Sequence, residues 1–193
     1  YGTDISGGPD INGLIRSVAA IPRLRWVRLL YTHPAHWTDA LIETFGSVPK
    51  LCPYVDLPLQ HLNDDILRRM GRRVTQAQIV DLITRLRDRV PGVAIRTALI
   101  TGFPGETPAQ FREMLRLVEQ LHFDHLGVFA YSREPGTRAA RFARQVSPAV
   151  AQRRREEIML AQQSIVFARN RALRGTEMEV VIESPAGKDR WQA

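Results

Sequence analysis

Four apolar runs in this sequence end in side chains that can hold a polar ligand. They run out into Thr32, His33 and Pro34; into Gln60 and His61; into Thr101, Gly102 and Glu106; and into Tyr131, Ser132 and Arg133. If the runs are parallel strands, their carboxyl ends share one face, where α/β proteins collect their chemistry because the sheet interior is filled with side chains. His33 and His36 have the spacing of a metal pair, but Pro34 lies between them and no cysteine or acidic third ligand is nearby in sequence. Gln60 and His61 offer an amide and an imidazole, which suit a ribose or a carboxylate and equally suit helix capping or a loop hydrogen bond. Arg96 lies inside an apolar run, where an unpaired guanidinium is costly. It should meet a carboxylate or an anionic ligand, or else snorkel at an edge.

The stretch "RTALITGFPGETPAQF", residues 96–111, is apolar up to a Gly-Phe-Pro-Gly corner and helical in pattern after it. Gly102 and Gly105 can take positive φ and let a ligand approach the backbone, while Pro104 stiffens the turn. Thr107, Pro108 and Gln110 form a capping box with proline at the first helical position, so the helix start needs no ligand. Glu106 puts negative charge at that mouth and disfavours phosphate, which leaves a neutral or zwitterionic ligand packed against backbone.

The elements that must position these residues follow from periodicity. Residues 26–33, 54–61, 93–102 and 125–132 are apolar, β-branched strand candidates. Between them, Thr38, Asn63, Thr75 and Thr107 each precede a helical pattern. This alternation predicts right-handed βαβ units and a parallel sheet, either open or part of a barrel. After Ser132 comes a polar loop, then a long helix from Ser147 and Pro148 to about Gly175. "TEMEVVIES" alternates as a strand, with "PAGKDR" as its turn, and reads as the opening of a small β domain.

Composition sets outer limits. The 193 residues can bury a full core, and no segment approaches a membrane span. The formal charge of +7 comes almost wholly from arginine, since Lys50 and Lys188 are the only lysines. An acidic partner such as RNA or a ribosomal surface is permitted, but the arginines are spread over helix faces rather than gathered in one run, as on a solvated surface. Cys52 is the only cysteine, which excludes an internal disulfide, fits a reducing compartment and cannot by itself hold an iron-sulfur cluster. With Tyr1 in place of Met and no signal-peptide pattern, the chain reads as a piece of a longer, cytoplasmic protein.

In chain order, "LPLQH", "ILRRMGR", "LRDRVPGVAIRT", "LITGFPGET" and "FAYSREPGT", then a long Arg- and Glu-rich helix leading into a β segment, resemble the methylthiotransferases of the radical S-adenosylmethionine superfamily. The resemblance covers almost the whole chain. It implies the carboxyl-terminal part of a (β/α) barrel over 1–145, a connecting helix over 146–175, and from 176 to 193 the first strand of a TRAM-like β domain. "YVDLPLQH" and "YSREPGT" match the branch that modifies an aspartate β-carbon of small-subunit ribosomal protein twelve. The transfer-RNA branch has Ser where His61 stands here. Transfer-RNA adenosine methylthiolation is therefore the alternative, and a non-catalytic basic scaffold that binds RNA or a ribosome is the second.

The resemblance also implies S-adenosylmethionine as cofactor, with Ile100, Gly102 and Gly105 walling the adenosyl group. Gln60, His61 and Arg96 would lie toward the ribose or methionyl end, and Phe129 to Tyr131 would offer backbone to the adenine edge. The broader superfamily pattern G-x-I-x-G-x-x-E maps with Ala98 at its first glycine and Glu106 one residue late. Family members carry two 4Fe–4S clusters, one on a C-x3-C-x2-C loop. No such cysteines are present, so their ligands are expected upstream of Tyr1 and this chain alone is expected to be inactive. A ribosomal protein substrate, sulfur and electron donors, and RNA contact through the TRAM-like domain complete the implied partners.

Overall fold

The computed structural model describes residues 10–182, 184–187 and 190–192. Three parallel strands, β1 (Tyr54–Asp56), β2 (Ala94–Thr101) and β3 (His125–Ala130), lie side by side in that order. Before them stand α1 (Ile11–Ala19) and α2 (Asp39–Ser47); α3 (Asp64–Arg69) and α4 (Gln76–Arg89) connect β1 to β2; α5 (Pro108–Leu121) connects β2 to β3. A 25-residue helix, α6 (Pro148–Ala172), then returns across β3 and α5. A separate hairpin pairs β4 (Ser184–Gly187) with β5 (Arg190–Gln192).

The helix starts follow the expected local chemistry. Thr75 and Thr107 both close full capping boxes, with Gln78 and Gln110 answering back. Thr38, Asn63 and Ser147 each accept a backbone N–H at the start of α2, α3 and α6.

The sheet has two unlike faces because strand side chains alternate. Ile95, Thr97, Leu99 and Thr101 of β2 are buried, and Ile95 and Leu99 share one core with Ile79 and Ile83 of α4 and Met114 and Val118 of α5. Arg96, Ala98 and Ile100 occupy the other, more open face, where register pairs them with His125, Gly127 and Phe129. Helices on one side and an open inner face on the other make this arc part of a (β/α) barrel.

Three expectations differ from the structure. Residues 26–33 form no continuous strand: Val27 bridges Leu51 and the Thr32 N–H reaches the Asp56 carbonyl, but Tyr31 has φ 55° and breaks the run between them. β1 ends at Asp56 because Pro58 has no N–H to donate and Gln60 is left-handed, although Gln60 still exchanges backbone bonds of 2.8 Å with Ala98 and Ile100. Residues 176–182 are not a strand. Strand pairing begins only at Ser184, the last residue of the expected strand, and β4 runs on through Gly187 into the segment expected to turn; Lys188 and Asp189 lie outside the described residues. α1 was not anticipated; its signal was Asp10, whose carboxylate caps the Gly13 N–H at 2.7 Å.

α6 docks on a narrow stripe of Ala151, Arg154, Ile158 and Gln162. It approaches the sheet closely at Gly102, where φ is 73° and a Cβ would lie 2.9 Å from the Ala151 Cα. Gly102→Ala should therefore cost on the order of 2 kcal/mol, from left-handed strain and forced separation of α6 from the sheet. Thermal unfolding of the full-length protein checks this; an unchanged midpoint would show that α6 does not need this approach.

Candidate functional site

At the carboxyl end of the sheet is a cavity of about 370 Å³. Gln60, Ile100, Phe103 and Tyr131 line it, with Arg69, Arg72, Arg138 and Phe142 among its outer walls. The left-handed turn at Gln60 is fixed by its two backbone bonds to β2, which places that residue at the cavity. The Tyr131 N–H bonds the Thr101 carbonyl at 2.8 Å, so the loop after β3 starts in register with the end of β2. Phe103 meets Tyr131 and Phe142 edge-on, at 5.5 and 6.1 Å between centroids. The Tyr131 hydroxyl is buried with no hydrogen-bond partner.

A buried charged knot stands behind this cavity. Glu106, 4% exposed, accepts from the Gly102 N–H at 3.0 Å and from Arg154 at 2.5 Å, and lies 3.3 Å from His61 Nε2. His61 Nδ1 accepts the Asn63 N–H at 2.9 Å, so the ring proton sits on Nε2 and points at the carboxylate. Arg154 also donates to the Glu106 carbonyl at 3.2 Å and lies over the Phe111 ring. One carboxylate thus joins the segment after β1, the corner after β2 and α6.

The structure distributes the expected cofactor residues over several settings. Gln60, Ile100 and Tyr131 meet at the cavity, whereas His61 is fully buried in the knot. Gly102 and Gly105 each have a packing role: Gly102 admits α6, and Gly105, at φ 85°, lies under the Arg69 guanidinium. Phe129 is 60% exposed on the open face, opposite Ile100. Arg96 donates from Nη1 to both oxygens of buried Asp56, at 3.0 and 2.8 Å, and borders a larger groove of about 930 Å³ between β3 and α6. Burial, then the Asp56 charge, raises the phenol of neighbouring Tyr54 above its ordinary pKa.

His33 and His36 face one another at 5.3 Å between rings, and His33 Nδ1 caps the turn Pro34–His36 by accepting the Ala35 N–H. Among the described residues no three His, Cys, Asp or Glu side chains gather as a metal site. The role of Glu106 was missed from sequence because its partner is 48 residues away. The convergence of Arg69, Arg72 and Arg138 was missed because two distant segments supply it.

A parallel arc backed by helices, with a polar-rimmed cavity at its carboxyl end, defines a (β/α)-barrel ligand-binding scaffold. The family model of the Radical SAM superfamily matches residues 1–118, and the chain belongs to that superfamily. Over 183 residues, 95% of the chain, it is 51% identical to a Geobacter sulfurreducens protein named ribosomal protein uS12 methylthiotransferase RimO. It is 48% identical over the same length to the protein of that name from Trichlorobacter lovleyi. The chain spans 41% of the length of each of these relatives. Among solved structures, coproporphyrinogen III oxidase (HemN) of Escherichia coli aligns at a TM-score of 0.52 and 22% identity, over 75% of this chain and 32% of that one. The methyltransferase TsrM of Kitasatospora setae, solved with cobalamin and a [4Fe-4S] cluster, aligns at 0.52 and 20% identity, over 64% and 25%. Both share the fold.

The knot and the histidine turn each yield an expectation. Arg154→Met strands the Glu106 carboxylate and should cost about 3–5 kcal/mol. Adding Glu106→Gln should recover at least about 1 kcal/mol of that, because the two sites are coupled; strictly additive urea unfolding energies would show that they are not. At His33, burial first, then Arg72 and His36, lowers the imidazole pKa below 6.5. The unfolded chain then binds the proton more tightly, so His33 contributes stability above pH 6.5 that declines as pH falls below that value. His33→Gln should flatten this part of the stability profile, measured as urea midpoint against pH.

Proposed function

We propose that this chain carries the carboxyl-terminal part of the radical S-adenosylmethionine barrel of a methylthiotransferase acting on an aspartate β-carbon of ribosomal protein uS12. The observation that carries this reading is the 51% identity to a protein of that name over 95% of the chain. The motifs agree, with His61 following Gln60 in "YVDLPLQH".

The cavity residues fit the cofactor. Ile100 offers an apolar wall for adenine, and the buried Tyr131 hydroxyl without a partner is an unused polar group where a ribose or base edge would lie. The Gln60 side chain can serve the ribose, and the backbone from Phe129 to Tyr131 the adenine edge. Arg96 is gripped by Asp56 through one nitrogen and its side chain is 40% exposed, so the rest of its fork is available to the methionyl carboxylate. Together with an iron-sulfur cluster, S-adenosylmethionine supplies the radical that abstracts hydrogen and the methyl of the methylthio group. The described residues do not form a cluster site, and Cys52 stands alone. Ligands for two 4Fe–4S clusters are proposed for the part of the relatives' length that this chain does not match.

Sulfur and electron donors are the further partners this reaction requires. The segment from residue 176 is read as the start of a TRAM-like module that touches RNA near the target, after a barrel part to 145 and a connecting helix to 175. Among the described residues no helix is long and apolar enough to cross a membrane; with a ribosomal protein as substrate, the cytoplasm is the proposed location. In a strain lacking the gene, mass spectrometry should find uS12 lighter by one methylthio group and transfer RNA unchanged. Loss of the group from transfer RNA instead would assign the other branch, and loss from neither would end the reading.

A further inference from the structure

Three arginines converge on the cavity from two distant segments. Arg69 closes α3, Arg72 follows in the next turn, and Arg138 comes from the loop after β3. No aspartate or glutamate lines the cavity. Elsewhere several arginines meet carboxylates, among them Arg154 with Glu106, Arg96 with Asp56, Arg85 and Arg89 with Asp39, and Arg169 with Asp124. Among the described residues Arg69, Arg72 and Arg138 form no ion pair.

Their positions are prepared in advance. The Arg69 guanidinium lies 5.5 Å from the Phe142 ring centroid and covers Gly105, whose missing Cβ makes the space for it. Arg138 lies 5.7 Å from the centroid of the same ring. Arg72 is partly buried, and desolvation lowers its pKa with no acceptor to offset the cost. One partly desolvated guanidinium and two more at the rim of a cavity free of carboxylates call for an oxyanion, and a planar fork suits a carboxylate best.

We propose that Arg69, Arg72 and Arg138 form the receptor for the side-chain carboxylate of the substrate, a specificity device that rests on the methylthiotransferase reading. In aspartate the β-carbon is bonded directly to the carboxylate carbon. Gripping both oxygens therefore leaves the reacting carbon one bond from its anchor, on the arginine side of the cavity and facing the cofactor's ribose at Gln60. Asparagine would turn an NH2 group toward the guanidinium cluster and lose a charged hydrogen bond. Arg69 and Arg138 are exposed at the rim, where a macromolecular substrate arrives, whereas Arg96 is placed for the methionyl carboxylate of the cofactor.

The test uses the full-length protein and reads binding without turnover. Isothermal titration compares uS12 with a version whose modified aspartate is asparagine. It also compares S-adenosylmethionine with 5′-methylthioadenosine, which lacks the carboxylate, and measures polyuridylate. Wild type should prefer the aspartate form by about tenfold or more, and Arg72→Gln or Arg138→Gln should erase that preference while the cofactor ratio stays unchanged. Arg72→Lys, which keeps charge without the fork, should retain only part of it; Arg138→Gln, on an exposed loop, serves if Arg72→Gln does not fold. A preference that survives in both glutamine variants overturns the receptor. So does a loss confined to the S-adenosylmethionine ratio, or to polyuridylate. A wild-type protein that binds both forms equally also overturns the receptor, whereas one that binds neither form of uS12 would sink the substrate reading itself.

Discussion

The buried carboxylate of Glu106 is the constraint on which the rest of this arrangement depends. A charge at 4% exposure is tolerable only if its oxygens are fully used, and here a backbone N–H, an arginine and an imidazole converge on them. Because those partners come from the corner after β2, from α6 and from the segment after β1, satisfying the charge fixes three parts of the chain relative to one another. An apolar residue could fill the same space but would impose no such register. Thr101 extends the same logic: its hydroxyl donates to the Ala151 carbonyl at 2.9 Å, so the end of β2 and the first turn of α6 are tied beside Gly102.

That fixed frame allows the opposite face of the sheet to stay open. Ile95, Leu99 and their neighbours put the apolar contacts on the helix side, and the other side carries Arg96, Ala98, Ile100 and Phe129 with few internal partners. A face of this kind is poor for stability and useful for binding. The large exposure of Phe129 is consistent with this division, since a phenylalanine kept for packing would be turned inward.

Local chemistry was legible in the sequence and distant pairing was not. Thr75, Thr107 and Ser147 announced their helices because a cap needs only a side chain and the next three N–H groups. The three parallel strands were legible because both faces of the pattern are apolar. Strand ends were not: Pro58 and left-handed Gln60 shorten β1, and Tyr31 prevents residues 26–33 from pairing continuously. The two glycines of the Gly-Phe-Pro-Gly corner could be seen to permit positive φ, but not what would require it. One admits Ala151 and the other admits Arg69, and both neighbours are far away in the chain.

The arginines make the same point about charge. Along the sequence they look evenly spread, as on a solvated surface, and a count gives only +7. Folding sorts them. Arg154 and Arg96 meet carboxylates and serve the frame, whereas Arg69, Arg72 and Arg138 are brought together around a cavity without one. Had these three served only solubility, nothing would require one to be partly desolvated or two to lie over the Phe142 ring. Holding like charges close together costs free energy in the absence of a partner, and an arriving anion removes that cost. Their convergence on a cavity without a carboxylate, and not the lack of an ion pair alone, therefore sets these three apart from exposed arginines such as Arg112 and Arg171, which also form no ion pair among the described residues.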